Sequence, residues 1–318
     1  MQSILLVKTS SLGDVVHNLP VASDLRARFP EARIDWVVEE GFAAIPRLHP
    51  AVHRVIPVAV RRWRQALLSG ATWREMAAFR RELQGQDYEL VLDTQGLLKS
   101  ALVARLARGR RAGYAAEAAR EPLSARFYDA TFAIPKNLHA VERNRWLAAA
   151  ALGFEPSLPL DYGIRADPLA APWLPGRPYC VLLTASSRAD KLWPEQGWLR
   201  LAAFLGARGL ACVLPGGSVD ERARAGRLAA QIADAVAAPP LALDAMAQLL
   251  AGAQIVVGVD TGLSHLAAAL GKLTIALFSG SSPELTGVHA GSQAINLGAA
   301  GAPPAAEEVI AAVGERLG

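Results

Sequence analysis

Four stretches of the 318-residue chain put hydroxyl, carboxylate and basic side chains directly after apolar runs, where chemistry finds a rigid support. In residues 8–17 (KTSSLGDVVH), small residues and Gly13 allow a tight turn into a helix whose first turn holds Asp14. A carboxylate there complements the helix dipole; at the mouth of a cleft it also suits a general base for a hydroxyl. Residues 255–265 (IVVGVDTGLSH) run from a strand straight into a helix through Asp260, Thr261 and Gly262. Free N–H groups at such a helix start, joined by the Thr261 and Ser264 hydroxyls, form a phosphate cradle, although the same residues also make an ordinary N-cap. His265, on the first turn, either donates to a phosphate or packs. Residues 184–194 (TASSRADKLWP) gather Ser186, Ser187, Arg188 and Lys191 on one loop. Lys191 is one of only five lysines, and its compact charge suits a departing diphosphate. Residues 61–68 (RRWRQALL) interleave Arg61, Arg62 and Arg64 with apolar residues. They read either as a segment lying on an anionic membrane or as an exposed loop whose Trp63 packs on its own domain. Lys99, Arg120, His139 and Arg143 add further donors in the same half.

Several familiar sites are excluded by direct search. The chain has no G-x-G-x-x-G, no G-x-x-x-x-G-K-[ST] and no G-x-S-x-G, so hydride transfer, P-loop ATP hydrolysis and serine hydrolysis lose their signatures. Its six histidines include no H-E-x-x-H, and Cys180 and Cys212 are too scattered for a zinc site. An Asp-x-Asp pair is absent as well. The expectation is no metal and no cofactor, with any bound diphosphate neutralised by protein groups.

The elements that must position these residues follow from periodicity. Strands are predicted at 3–8, 33–38, 53–58, 89–93 and 110–114, and helices at 14–29, 72–84, 97–107 and 139–152. Six prolines between 156 and 178 then break the pattern, which reads as a linker. Alternation resumes with strands at 179–184, 210–214, 254–259 and 273–278 and helices at 195–208, 219–232, 244–252, 263–270 and 304–316. The fold class is therefore α/β: two Rossmann-like parallel-sheet domains, 1–155 and 179–318, joined by a Pro-rich linker at 156–178. In such folds ligands sit outside the carboxyl ends of the strands, where the four stretches lie.

Composition agrees with a globular protein: 52% hydrophobic and 19% charged residues rule out disorder, and two cysteines rule out a disulfide scaffold. Residues 1–8 read as a strand rather than a secretion signal, and no stretch reaches 20 apolar residues, so the expected placement is cytoplasmic. Residues 1–150 hold 22 Lys and Arg against 15 Asp and Glu, a net of +7, whereas 151–318 hold 11 against 14, a net of −3. The halves are expected to meet different partners. A nucleic-acid partner lacks any zinc-finger or RNP signature.

Taken together, these stretches resemble the heptosyltransferases of glycosyltransferase family 9, which have the GT-B fold of two domains facing across a cleft. The resemblance spans nearly the whole chain. It is carried by residues 8–17, 35–46 (DWVVEEGFAAIP), 55–64 (VIPVAVRRWR), 93–100 (DTQGLLKS), 120–123 (REPL), 139–143 (HAVER), 187–194 (SRADKLWP) and 259–265 (VDTGLSH). The second and third of these are closer to the type I branch than to type II. The resemblance implies inverting, metal-independent transfer of L-glycero-D-manno-heptose from ADP-heptose to the inner Kdo of Kdo2-lipid A, in lipopolysaccharide core biosynthesis at the cytoplasmic face of the inner membrane. It implies Asp14 as catalytic base, with Lys191 assisting the leaving group. Ser186, Ser187, Lys191, Glu221, Asp260, Thr261, Gly262, Leu263 and His265 would bind the donor. Arg61, Arg62, Arg64, Lys99, Arg120 and His139 would bind the acceptor. The chain departs from the family at Thr184, where His is common, and near Gly216, where Trp is common. The rival readings are a type II or other family 9 enzyme, a nucleotide-sugar epimerase, which would release free sugar nucleotide without an acceptor, and a two-domain small-molecule binder, which would release no ADP.

Overall fold

A run such as Ser3–Val7 (SILLV) shows no polar alternation because both of its faces are covered, the mark of a central parallel strand. The computed structural model describes residues 1–186 and 188–318. These divide into two units, Met1–Ile164 and Arg165–Gly318.

The first unit runs β1 (Ser3–Val7), α1 (Leu12–Val16), α2 (Leu19–Arg28), β2 (Arg33–Glu39), α3 (Ala44–Arg47), β3 (Val52–Val58), α4 (Val60–Gln65), α5 (Gly70–Gln84), β4 (Asp87–Asp93), α6 (Leu98–Leu106), β5 (Arg108–Tyr114), β6 (Ala130–Phe132) and α7 (Ala140–Leu152). Its six parallel strands lie in the order β3-β2-β1-β4-β5-β6. The second unit runs β7 (Tyr179–Leu183), α8 (Glu195–Gly206), β8 (Ala211–Leu214), α9 (Val219–Ala229), β9 (Ala235–Ala237), α10 (Leu243–Gly252), β10 (Ile255–Val259), α11 (Gly262–Ala269), β11 (Leu273–Phe278), α12 (Pro283–Thr286), β12 (Ala294–Gly298) and α13 (Ala306–Leu317). Its order, β12-β11-β10-β7-β8-β9, repeats the same winding. Each sheet thus reverses direction beside its first strand, between β1 and β4 and between β7 and β10. Ligands of open α/β sheets bind at that reversal.

Register decides what leaves the sheet together. Val7 pairs with Asp93, so Lys8 and Thr94 emerge side by side from β1 and β4. Beyond the Gly258 and Leu183 pair, Val259 and Thr184 do the same from β10 and β7. Gly258 is required there: a Cβ would stand 2.5 Å from Ser264 Oγ and 2.9 Å from Leu183 Cβ, pushing α11 off the sheet.

Three expectations are corrected. The helix predicted at 14–29 is two helices, because Pro20 has no N–H and its ring excludes a carbonyl one turn back, so α2 restarts from Asn18. Residues 60–65 are helical rather than a loop, and Trp63 is buried against Phe79, with ring centroids 5.7 Å apart. The Pro-rich stretch is not a free linker. Its first part packs on the first unit, where the Leu158 carbonyl accepts from Arg145 (2.6 Å) and Tyr162 and Ile164 are buried. Farther along, Leu169 N–H donates to the Gln248 carbonyl of the second unit (3.1 Å).

α7 is fastened to α2 by a buried ion pair, Arg145 to Asp24, at 2.8 and 3.1 Å with both side chains almost wholly enclosed. Removing Asp24 leaves the buried Arg145 only the longer ion-pair contact to Glu142, at 3.5 Å. Asp24→Ala is expected to cost the first unit about 3–5 kcal/mol in urea denaturation, and Asp24→Leu combined with Arg145→Met to recover most of it. A cost below about 1 kcal/mol for the single variant would show that the pair does not hold α7.

Candidate active site

In the first unit the turn after β1 is held from β4. Gln95 Oε1 accepts from Thr9 N–H (2.7 Å), Thr9 Oγ (2.9 Å) and Ser10 N–H (3.2 Å), while its Nε2 donates to the Ser10 carbonyl. This fixes where α1 begins. Asp14 sits in its first turn, where Oδ2 accepts from Ser11 N–H at 2.9 Å. Oδ1 accepts from Arg120 at 2.7 Å. The helix-capping role and exposure to a pocket therefore coexist in one side chain. Burial alone would raise the Asp14 carboxyl, but the charges of Lys8 and Arg120 and the Ser11 N–H outweigh it and hold the group below its ordinary value. It is ionised at neutral pH.

Lys8 is buried, and its Nζ donates to the Thr94 carbonyl (2.8 Å) and to Asn144 Oδ1 (3.3 Å). Burial lowers it to about 8. Lys8, Asp14, Tyr114, Arg120, Arg143 and Asn144 all line one open pocket. Arg143 lies over the Tyr114 ring, 4.9 Å from its centroid.

The other expected acceptor residues are distributed differently. Lys99 donates to Ser10 Oγ at 2.6 Å, joining the β1 turn. His139 caps α7, its Nδ1 accepting from Val141 N–H, and its ring meets that of His17 edge to face at 5.5 Å. Arg62 is bound to Glu40 through two 3.0 Å hydrogen bonds and to Glu75 at 2.7 Å. Its charge is therefore already compensated. Arg61 stacks on Phe42, and neither it nor Arg64 forms an ion pair among the described residues. Glu39 was not singled out from the sequence. It is buried at the end of β2, accepts Arg61 N–H at 2.9 Å and so starts α4 beside the site. Its position directly after the strand in DWVVEE was the available signal.

In the second unit, Lys191 Nζ meets Asp260 Oδ2 at 2.5 Å, and Ser281 Oγ donates to the same oxygen. His265 Nε2 lies 3.8 Å from Asp260 Oδ1. Thr261 caps α11 and leaves the Gly262 and Leu263 amides at its N-terminus. Ser186 lies on the loop after β7; Ser187 lies outside the described residues. One expectation changes. Ser264 is fully buried and its hydroxyl donates to the Val259 carbonyl at 2.8 Å, so it is turned away from any phosphate. Glu221 closes a capping box at α9, with Oε2 accepting from Gly217 N–H (2.8 Å) and Ser218 N–H (3.0 Å). Ser281, 21 residues from Asp260, carried no local signal.

Burial would raise the Asp260 carboxyl, yet His265, Lys191 and Ser281 hold it well below 3.8. A carboxyl lowered by folding adds stability that is complete above its unfolded value and fades as pH falls toward the folded one. Asp260→Asn is thus expected to destabilise the second unit more at pH 6 than at pH 3 in urea denaturation. Equal losses at both values would contradict the electrostatic assignment.

The Glyco_transf_9 model, described as glycosyltransferase family 9 (heptosyltransferase), matches residues 76–311. Lipopolysaccharide heptosyltransferase 1 of Pseudomonas aeruginosa is 49% identical over 300 residues, covering 93% of this chain and 83% of that protein. The structure of E. coli heptosyltransferase WaaC with ADP superposes with a TM-score of 0.89 at 42% identity, covering 99% of both chains. The same E. coli enzyme with ADP-2-deoxy-2-fluoro heptose gives 0.85 at 41% identity, again over 99% of each. The two parallel sheets are those of the GT-B fold, and the chain belongs to glycosyltransferase family 9, the heptosyltransferases.

Proposed function

We propose that the protein transfers heptose from ADP-heptose to the inner Kdo of Kdo2-lipid A. The observation that carries this reading is the 49% identity to a type 1 enzyme across 93% of the chain. A donor-bound E. coli relative adds the nucleotide sugar. The site chemistry supports the same reaction. Asp14, ionised at neutral pH, takes the proton of the acceptor hydroxyl as that oxygen bonds to the anomeric carbon. The bond from that carbon to the diphosphate breaks, and ADP leaves with the electron pair. Lys191 and the Gly262 and Leu263 amides receive the growing charge, a contribution made mainly in the transition state. Thr261, Ser186, Ser187 and Glu221 complete the donor side in this reading. Arg61, Arg64, Lys99 and Arg120 receive the acceptor's carboxylates and phosphates, while Arg62 and His139 shape that surface.

Contact with the cytoplasmic membrane face is part of the proposal. Among the described residues no helix is long and apolar enough to cross a membrane. Leu67, Leu68 and Trp73 are exposed next to Arg64 and Arg74, a basic and apolar pairing that suits an anionic lipid surface. Leu67→Asp with Leu68→Asp is expected to reduce co-sedimentation with phosphatidylglycerol vesicles several-fold; unchanged binding would remove this segment from the interface.

The reaction is tested by ADP release with ADP-heptose and Kdo2-lipid A. Asp14→Asn is expected to lower kcat by about 10²–10⁴-fold, with a much smaller change in donor KM. Lys191→Ala is expected to lose about 10²-fold. Unchanged turnover in Asp14→Asn would reject the base. Turnover only on an acceptor that already carries one heptose would reassign the chain to the type II reaction.

A further inference from the structure

A lysine ammonium group removed from water is costly unless a carboxylate touches it. Lys8 is 5% exposed, and among the described residues its Nζ donates to two uncharged acceptors, the Thr94 carbonyl and Asn144 Oδ1. The Asn144 amide is oriented to do this. Its Oδ1 also accepts from Tyr114 at 3.1 Å, and its Nδ2 donates to the His17 carbonyl at 3.2 Å. Packing alone does not call for a charge here, since an unbranched apolar side chain would fill the same space without a desolvation cost.

We propose that Lys8 is a positioning residue whose buried charge sets the basicity of Asp14. Both line the same pocket. The charged and titratable groups around them are Arg120, Arg143 from α7, Lys99 from α6, Asp93 at the end of β4 and Tyr114 at the end of β5. His17 and His139 stand at the adjoining helix ends. Of the cations, Arg120 touches Asp14, yet its side chain is 47% exposed and free to move toward an incoming anion. Lys8 is locked between β4 and α7 and cannot leave. When the acceptor draws Arg120 away, Lys8 keeps Asp14 ionised and one carboxylate oxygen becomes available to the hydroxyl. Burial pulls Lys8 down to about 8, and the Asp14 carboxylate works against that pull.

This rests on Asp14 being the base, and two readouts separate the claims. In the full-length chain labelled at aspartate carboxyl carbons, with the signal assigned through Asp14→Asn, the Asp14 titration is followed by ¹³C NMR in wild type and Lys8→Met. The midpoint is expected to rise by about one pH unit or more in Lys8→Met. The acid limb of kcat should move with it, with donor KM unchanged within about twofold, and a thermal melt reports folding. An unmoved midpoint in the folded variant overturns the proposal. A midpoint that moves without the kcat limb leaves Lys8 assigned and removes Asp14 as base. Should Lys8→Met not fold, Asn144→Asp neutralises Lys8 by contact and must raise the same midpoint; if it does not, the proposal fails.

Discussion

A carboxylate at the buried end of a parallel sheet stays ionised only when cations or N–H donors replace the water it has lost. Three carboxylates of this protein meet that constraint differently. Asp14 has Ser11 N–H, Arg120 and the nearby charge of Lys8. Asp260 has Lys191, Ser281 and His265. Asp93 has the Gln95 and Gly96 amides and the Tyr128 hydroxyl, with no cation in contact among the described residues, and burial pushes it up. Environment therefore sorts chemically identical groups into two poised for charge chemistry and one that shapes a turn.

The scaffold makes these pairings affordable by keeping their partners in register. Because β1 and β4 end together, Gln95 can hold the turn that starts α1, and Lys8 can reach Thr94 and Asn144. In the second unit the close approach at Gly258 seats α11 so that Asp260 and the first amides of the helix emerge at one place. Positive charge in the first unit is divided between structure and surface. Arg62 and Arg145 are spent on carboxylates of their own unit, whereas Arg61 and Arg64 are not. A net of +7 thus overstates what an anionic substrate would meet.

Much of this was legible in the sequence, for physical reasons that also mark its limits. Central strands read clearly because both faces are covered and their runs are wholly apolar; β1, β7 and β10 are buried along their entire length. The edge strands β6, β9 and β12 were missed because they are short or only half-buried, and their residues carry little pattern. Asp14, Lys191 and Asp260 were legible because each lies in the segment that follows a strand, Asp260 directly after β10 and the other two on the turns after β1 and β7. Their pairings were not, because they join distant segments: Arg120 lies 106 residues from Asp14, and Asp260 lies 69 from Lys191. The direction of a hydroxyl is also invisible in a string of letters, which is why Ser264 was grouped with the phosphate donors although it bonds back to Val259.

In the proposed reaction one ionised carboxylate, Asp14, drives a single displacement at the anomeric carbon. The most direct test is the configuration of the transferred heptose, read from the one-bond carbon–hydrogen coupling of its anomeric centre by NMR of the purified product. One displacement requires a configuration opposite to that in the donor. A retained configuration would mean two displacements through a covalent intermediate, or same-face capture of an ion pair, and would rule out the single displacement.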